Sequence, residues 1–140
     1  MIVLDTNVIS EPMRGSPDPA VIEWLNGQVE SALFTTSVNV MELRFGIERL
    51  PEGRRKAGLW ALLDFTLSRL VGPRILSFDT PAAANAARLV ADAEASGSPI
   101  GSADAQIAAL AATHGFIVAT RDVTPFQRAG LTVINPWVLA

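Results

Sequence analysis

Four acidic residues, Asp5, Glu42, Asp104 and Asp122, stand where the chain passes from strand-like to helix-like sequence. Carboxylates gathered at such places are the equipment of a hard-metal site. Asp5 closes the apolar run Ile2-Val3-Leu4. Glu42 belongs to the first turn of the helix that follows the β-rich stretch Ala32 to Thr36. Asp104 lies just inside a helix opened by Ser102, and Asp122 follows Phe116 to Ala119 through Thr120 and Arg121. Separations of 37, 62 and 18 positions mean that only the fold can bring them together. Converging carboxylates repel, and they cannot all stay ionised in a dry pocket without a counter-charge. Oxygen-only ligands favour Mg²⁺ or Mn²⁺ over zinc, the more so with no cysteine and a single histidine, His114. Such an ion draws in a phosphodiester, polarises a phosphoryl oxygen and makes bound water nucleophilic.

Each acid also has a purely structural reading. Asp5 can cap a short helix or close an Asx turn, and Glu42, three after Asn39, fits a capping box. Asp104 complements a helix dipole, and Asp122 suits a turn. Those readings do not explain why all four fall at one edge.

The edge itself follows from the elements. Strand-like runs at Ile2–Leu4, Ala32–Thr36, Ile75–Phe78, Phe116–Ala119 and Leu131–Ile134 alternate with helical patterns, which predicts an α/β fold with a mainly parallel sheet of about five strands. Helices are predicted after Asp5 and from Pro17-Asp18-Pro19 to Gly27. Another opens at Ser37 or Asn39 and runs to Leu50, and the longest covers Arg54 to Leu70. Thr80-Pro81 caps an Ala-rich helix to Ser96-Gly97, and a second spans Ser102 to His114. In the Arg54–Leu70 segment Ala57, Trp60, Leu63, Leu67 and Leu70 form a stripe with Leu59, Leu62 and Phe65 beside it, more apolar arc than one core contact needs. Right-handed crossovers place strand carboxyl ends and helix amino ends together.

With 140 residues, 49% hydrophobic and 18% charged, the chain is predicted to form one domain, residues 1–140, with a full core. The absence of cysteine excludes a disulfide scaffold and a thiol nucleophile. An acid at position 5 and no basic leading segment argue against a signal peptide, and no apolar run approaches a membrane span, so a soluble, cytoplasmic protein is expected. The net charge of −3 is unusual for a nucleic-acid binder. With four acids neutralised by metal, however, 11 basic residues would face ten remaining acids.

Val3-Leu4-Asp5-Thr6-Asn7-Val8-Ile9-Ser10, Val40-Met41-Glu42-Leu43-Arg44, Gly101-Ser102-Ala103-Asp104-Ala105-Gln106-Ile107-Ala108 and Ala119-Thr120-Arg121-Asp122 resemble the PIN-domain family. Together with the Asn135-Pro136-Trp137 ending and the length, they are similar to VapC-like toxins of type II toxin–antitoxin modules, in particular the FitB-like branch. The resemblance covers essentially the whole chain. It implies a PIN-like α/β/α sandwich and a Mg²⁺- or Mn²⁺-dependent endoribonuclease. It assigns Asp5, Glu42, Asp104 and Asp122 to the acidic positions, with Thr6, Asn7 and Thr120 as neighbours that orient ligands or water. It further implies an RNA substrate, a cognate antitoxin, a homodimer, and operator DNA reached only through the antitoxin. One departure stands out: relatives often read Thr-Arg-Asn-x-x-Asp-Phe in the last segment, where this chain has Asp122 at the Asn position and Pro125 at the later Asp.

Other residues carry less chemistry. Arg121, beside the acid edge, is a candidate phosphate contact, and Arg54-Arg55-Lys56 is a solvated helix start or a nucleic-acid contact. His114 suits a helix end, and Trp24, Trp60 and Trp137 suit core or interface. Ser10, Ser37 and Ser102 lack a base partner. Two rival classes remain: a catalytically silent interaction protein, and a receiver-type Mg²⁺-binding signalling domain. The second requires a lysine after a late strand, and the only lysine is Lys56.

Overall fold

Every strand pair in the sheet is parallel, which forces each connection to cross over through helix and puts all strand carboxyl ends on one edge. The structure, a computed structural model, describes residues 1–138. Its strands are β1 (Ile2–Leu4), β2 (Leu33–Thr36), β3 (Ile75–Leu76), β4 (Ile117–Ala119) and β5 (Val133–Ile134), ordered β3-β2-β1-β4-β5. The helices are α1 (Thr6–Ser10), α2 (Pro19–Asn26), α3 (Ser37–Glu48), α4 (Arg54–Leu70), α5 (Thr80–Ala95), α6 (Ser102–His114) and α7 (Val123–Arg128), with short 3₁₀ turns at Glu11–Met13 and Glu30–Ala32. β1 is the central strand. Its neighbours leave it in opposite directions, and a parallel sheet opens a crevice at such a switch point, here immediately beyond Asp5. A receiver domain has the order 2-1-3-4-5, so this topology differs from that rival.

Side chains alternate across β1, and the two cores follow. Ile2 and Leu4 face Val8, Ile9, Val21, Leu25, Leu43 and Leu63 from α1 to α4. Val3 faces Ile107, Ala108, Ala111 and Phe126 from α6 and α7. The result is the expected α/β/α layering. Among the described residues no helix is long and apolar enough to cross a membrane.

α4 and α6 have the boundaries the sequence predicts. Gly115 ends α6 in the left-handed conformation (φ 70°), where a side chain would be strained. Other expectations are corrected. Thr36, not Ser37 or Asn39, caps α3, and α3 ends at Glu48 rather than Leu50. Asp79, not Thr80, caps α5 by accepting from the Ala82 N–H at 3.1 Å. The Asp122 segment, read as a turn, leads straight into α7. Ala57 lies exposed, so the α4 stripe toward the core consists of Leu63 with half-buried Leu59, Trp60, Leu67 and Leu70.

Candidate active site

The carboxyl ends of β1, β2 and β4 deliver three polar side chains to one buried point. Asp5 directly follows β1 and is 6% exposed. Its Oδ1 accepts from the Thr6 N–H (2.8 Å) and from Asn39 Nδ2 (3.0 Å), and its Oδ2 accepts from the Thr120 hydroxyl (2.7 Å). Thr120, also buried, follows β4 and in turn accepts from Asn7 Nδ2 (3.3 Å) and from the Asp122 N–H (3.0 Å). Asn39, on α3 behind β2, donates to Thr6 Oγ1 as well (3.0 Å) and accepts from the Thr36 hydroxyl (2.6 Å). Thr6 then donates to Glu42 Oε1 at 2.7 Å. Two acids far apart in sequence are thus joined by a continuous hydrogen-bonded chain.

Glu42 is half-buried, and because α3 begins at Ser37 it falls in the second turn rather than the first. No capping box forms. The Glu42 carboxylate takes the Thr6 hydroxyl instead, and Asn39 is the linchpin of the network. Asp104 lies in the first turn of α6, as expected. Asp122 occupies the cap position of α7 but makes no side-chain cap bond and is exposed.

Electrostatics shows that the four acids share one neighbourhood. Burial pushes the Asp104 carboxyl up to about 6, and the charges of Asp5, Asp122 and Glu42 add to that rise. Burial likewise raises Asp5 against the opposing effect of its three donors. Among the described residues, however, no three acids close up into a group able to hold an ion. Unneutralised carboxylates repel one another, and a bound cation would offset that repulsion. The donor set is all-carboxylate and carries a shared charge excess, which fits Mg²⁺ or Mn²⁺ and does not fit zinc.

Sequence reasoning missed Glu11, 2% exposed, at the rim. It pairs with Arg14 at 3.0 Å and with Arg121 at 3.9 Å. The Arg121 guanidinium also lies 4.1 Å from the centre of the Trp137 ring, and its side chain keeps 54% exposure. Trp137 and Glu11 therefore fix the direction of a cation next to Asp122. Arg14, three residues on, is the one local signal for Glu11; its second partner, Arg121, lies 110 positions away and leaves none. Lys56 is excluded as a nucleic-acid contact, because its amine is committed to Glu52 (2.7 Å) and the Glu48 carbonyl (3.0 Å) at the α3–α4 junction.

Residues 2–130 match the model of the family described as PIN domain. Over 137 residues the chain is 47% identical to VapC ribonuclease Y4jK of Sinorhizobium fredii, covering 98% of both. It is 42% identical to Toxin FitB of Neisseria gonorrhoeae, covering 98% of this chain and 99% of that one. The solved structure of FitAB bound to an IR36 DNA fragment superimposes with a TM-score of 0.92 at 40% identity, covering 100% of this chain and 98% of that one.

Proposed function

The chain belongs to the PIN-domain family, and on that premise we propose that it is the endoribonuclease toxin of a type II toxin–antitoxin module, dependent on Mg²⁺ or Mn²⁺. The observation that carries the reading is the bonded chain from Thr120 through Asp5, Asn39 and Thr6 to Glu42, with Asp104 and Asp122 in electrostatic contact with it. When bound, the ion supplies Lewis acidity toward the phosphoryl group and a nucleophilic water. Asp5, Glu42, Asp104 and Asp122 are the residues that would hold it. Asn39 and Thr120 fix both Asp5 oxygens, and Thr6 aims Glu42, so the negative charge that recruits the ion is oriented before substrate arrives. Asn7 holds Thr120 and accepts from the Arg121 N–H at 3.3 Å, which ties the phosphate-side loop to the acid network. The Arg121 guanidinium contacts an RNA phosphate and offsets its charge.

Purified protein incubated with RNA and Mg²⁺ or Mn²⁺ is the direct test, with EDTA and the Asp104→Asn variant as controls. Cleavage that is absent with metal, or that persists in EDTA, overturns the reading.

Asp122 is exposed and its side chain caps nothing, so it would hold the ion through a water and tune the attacking nucleophile, while Asp5, Glu42 and Asp104 carry most of the affinity. Asp122→Asn is expected to slow cleavage roughly 10- to 100-fold while metal affinity falls less than in Asp104→Asn. A wild-type rate in that variant leaves three working acids.

A cognate antitoxin and a second copy are the protein partners, with operator DNA reached through the antitoxin. Phe65 on α4 (63% exposed), Phe45 (61%) and Met41 (55%) on α3 provide the apolar area for them. Light scattering is expected to give twice the 14.9 kDa chain mass. A monomer at roughly 10–50 µM counts against the dimer.

A further inference from the structure

Beside the acids, a cavity of about 650 Å³ is walled by the last turns of α5, the loop 96–101, the first turn of α6 and helix α7. Asp104 lines it, and Asp122 immediately precedes α7, which contributes Pro125 and Arg128 to the wall. The cavity is therefore continuous with the reaction edge, and its size falls in the range of small-ligand pockets, about 300 to 1,000 Å³. Its lining is mixed. Leu89, Ile100 and Pro125 are apolar surfaces against which the face of a base can pack, whereas Asp92 is a carboxylate acceptor. Arg128 is exposed and, among the described residues, forms no ion pair within 4 Å, in contrast to Arg14 and Arg121. Gly101 keeps the wall beside Asp104 open. Its φ of −62° suits any residue, and an added Cβ would meet only Asp104 Oδ2, at 3.9 Å.

We infer that this cavity is the subsite for the RNA nucleotide adjoining the scissile bond, with its base against Leu89, Ile100 and Pro125 and its phosphate on Arg128. The inference rests on the ribonuclease reading for its substrate and on the cavity alone for its location. Asp92, an acceptor only, favours a base that presents an exocyclic amino group, guanine, adenine or cytosine, over uracil, whose single N3–H lies between two carbonyl oxygens. A basic peptide would satisfy Asp104 but set its cation beside Arg128, whereas a nucleotide gives Arg128 a phosphate and places its neighbouring phosphodiester at the acids.

The experiment has two arms. In the first, AMP, CMP, UMP and inorganic phosphate are titrated into ¹⁵N-labelled protein in EDTA. Saturable shifts are expected at the amides of Ala93, Gly101 and Ala129, larger for AMP and CMP than for UMP. Arg128→Ala is expected to weaken AMP about tenfold, the scale of one charge-assisted hydrogen bond, and Asp92→Asn to remove the preference over UMP. Shifts confined to other surfaces, or unaltered by Arg128→Ala, overturn the subsite. In the second arm, Arg128→Ala is expected to lower kcat/KM on an oligoribonucleotide extended on both sides of the cleaved bond. On the substrate shortened at the side that occupies the cavity it is expected to change nothing. An equal loss on every substrate, or none on any, overturns the subsite and leaves the ribonuclease reading intact. If the wild type cleaves no RNA, that reading fails, and the metal-free titration alone decides whether the cavity takes a nucleotide.

Discussion

Asp104→Asn is expected to lose RNA cleavage by on the order of 10³-fold and at the same time to make the metal-free protein more stable. The two effects have one cause. Asp104 is held in a half-buried place among three other carboxylates, so its charge is needed for the ion and is unwelcome without it. Below pH 3.8, its ordinary value, the acid is protonated in both folded and unfolded chains, and the substitution is nearly neutral. As pH rises from there through about 6, the unfolded chain ionises first and the folded state carries a growing cost, complete above that value. The Tm gain of the variant in EDTA should therefore be a few °C at pH 7.5 and vanish near pH 4. In saturating Mg²⁺ or Mn²⁺ the order reverses, because the wild type alone binds the ion tightly. Thermal melts at the two pH values, with and without metal, and a cleavage assay check it. An active Asp104→Asn variant, or one less stable than wild type at pH 7.5 in EDTA, removes Asp104 from the shared acid site.

Asp5 is a less clean target, although its loss should also abolish cleavage. Three donors point at its two oxygens, so an amide at this position turns an N–H toward Asn39 Nδ2, the Thr6 N–H or the Thr120 hydroxyl. Loss of activity in Asp5→Asn mixes lost charge with a broken network. The sequence does not disclose this difference, since both acids stand at helix starts and both accept a capping explanation.

What was legible had local causes. The breaks around α4, Pro51-Glu52-Gly53 before it and Gly72-Pro73 after it, set its limits, and Gly115 set the end of α6. Asp5 and Asp104 could be placed because a strand end and a helix start determine position along the chain. Tertiary partnership was hidden. Asn39 looks like a helix cap over a short window, yet Thr36 does that work and frees the Asn39 amide for Asp5, 34 positions away. Likewise α7 is only six residues long and contains Pro125, too brief for a period to emerge. The excess apolar arc of α4 was visible, but which of its residues faces out was not. Leu59, Leu62 and Trp60 turn partly inward, and Phe65 remains on the surface.

Asn39→Leu is expected to be the most destabilising single change in the site, by about 2 to 4 kcal/mol. Leucine shares the branching of asparagine and leaves no cavity, so the loss comes mainly from stranded polar atoms, with a further cost for its bulkier methyl groups in a fully buried place. Asp5 Oδ1 loses a donor inside a 6% exposed residue, Thr6 Oγ1 loses the group it accepts from, and the Thr36 hydroxyl loses its acceptor. A carboxylate with one fewer donor in a buried place becomes harder to ionise, so the Asp5 carboxyl moves further above its ordinary value and attracts a cation less readily. Glu42 feels the change at second hand, because the hydroxyl that holds it belongs to Thr6. Cleavage by folded Asn39→Leu should accordingly demand more metal, and raising Mg²⁺ should recover part of the rate. Urea denaturation in EDTA measures the first effect and a metal titration of the initial rate measures the second. A stability loss under about 1 kcal/mol together with an unchanged metal requirement would mean that Thr6 and Thr120 orient Asp5 without Asn39.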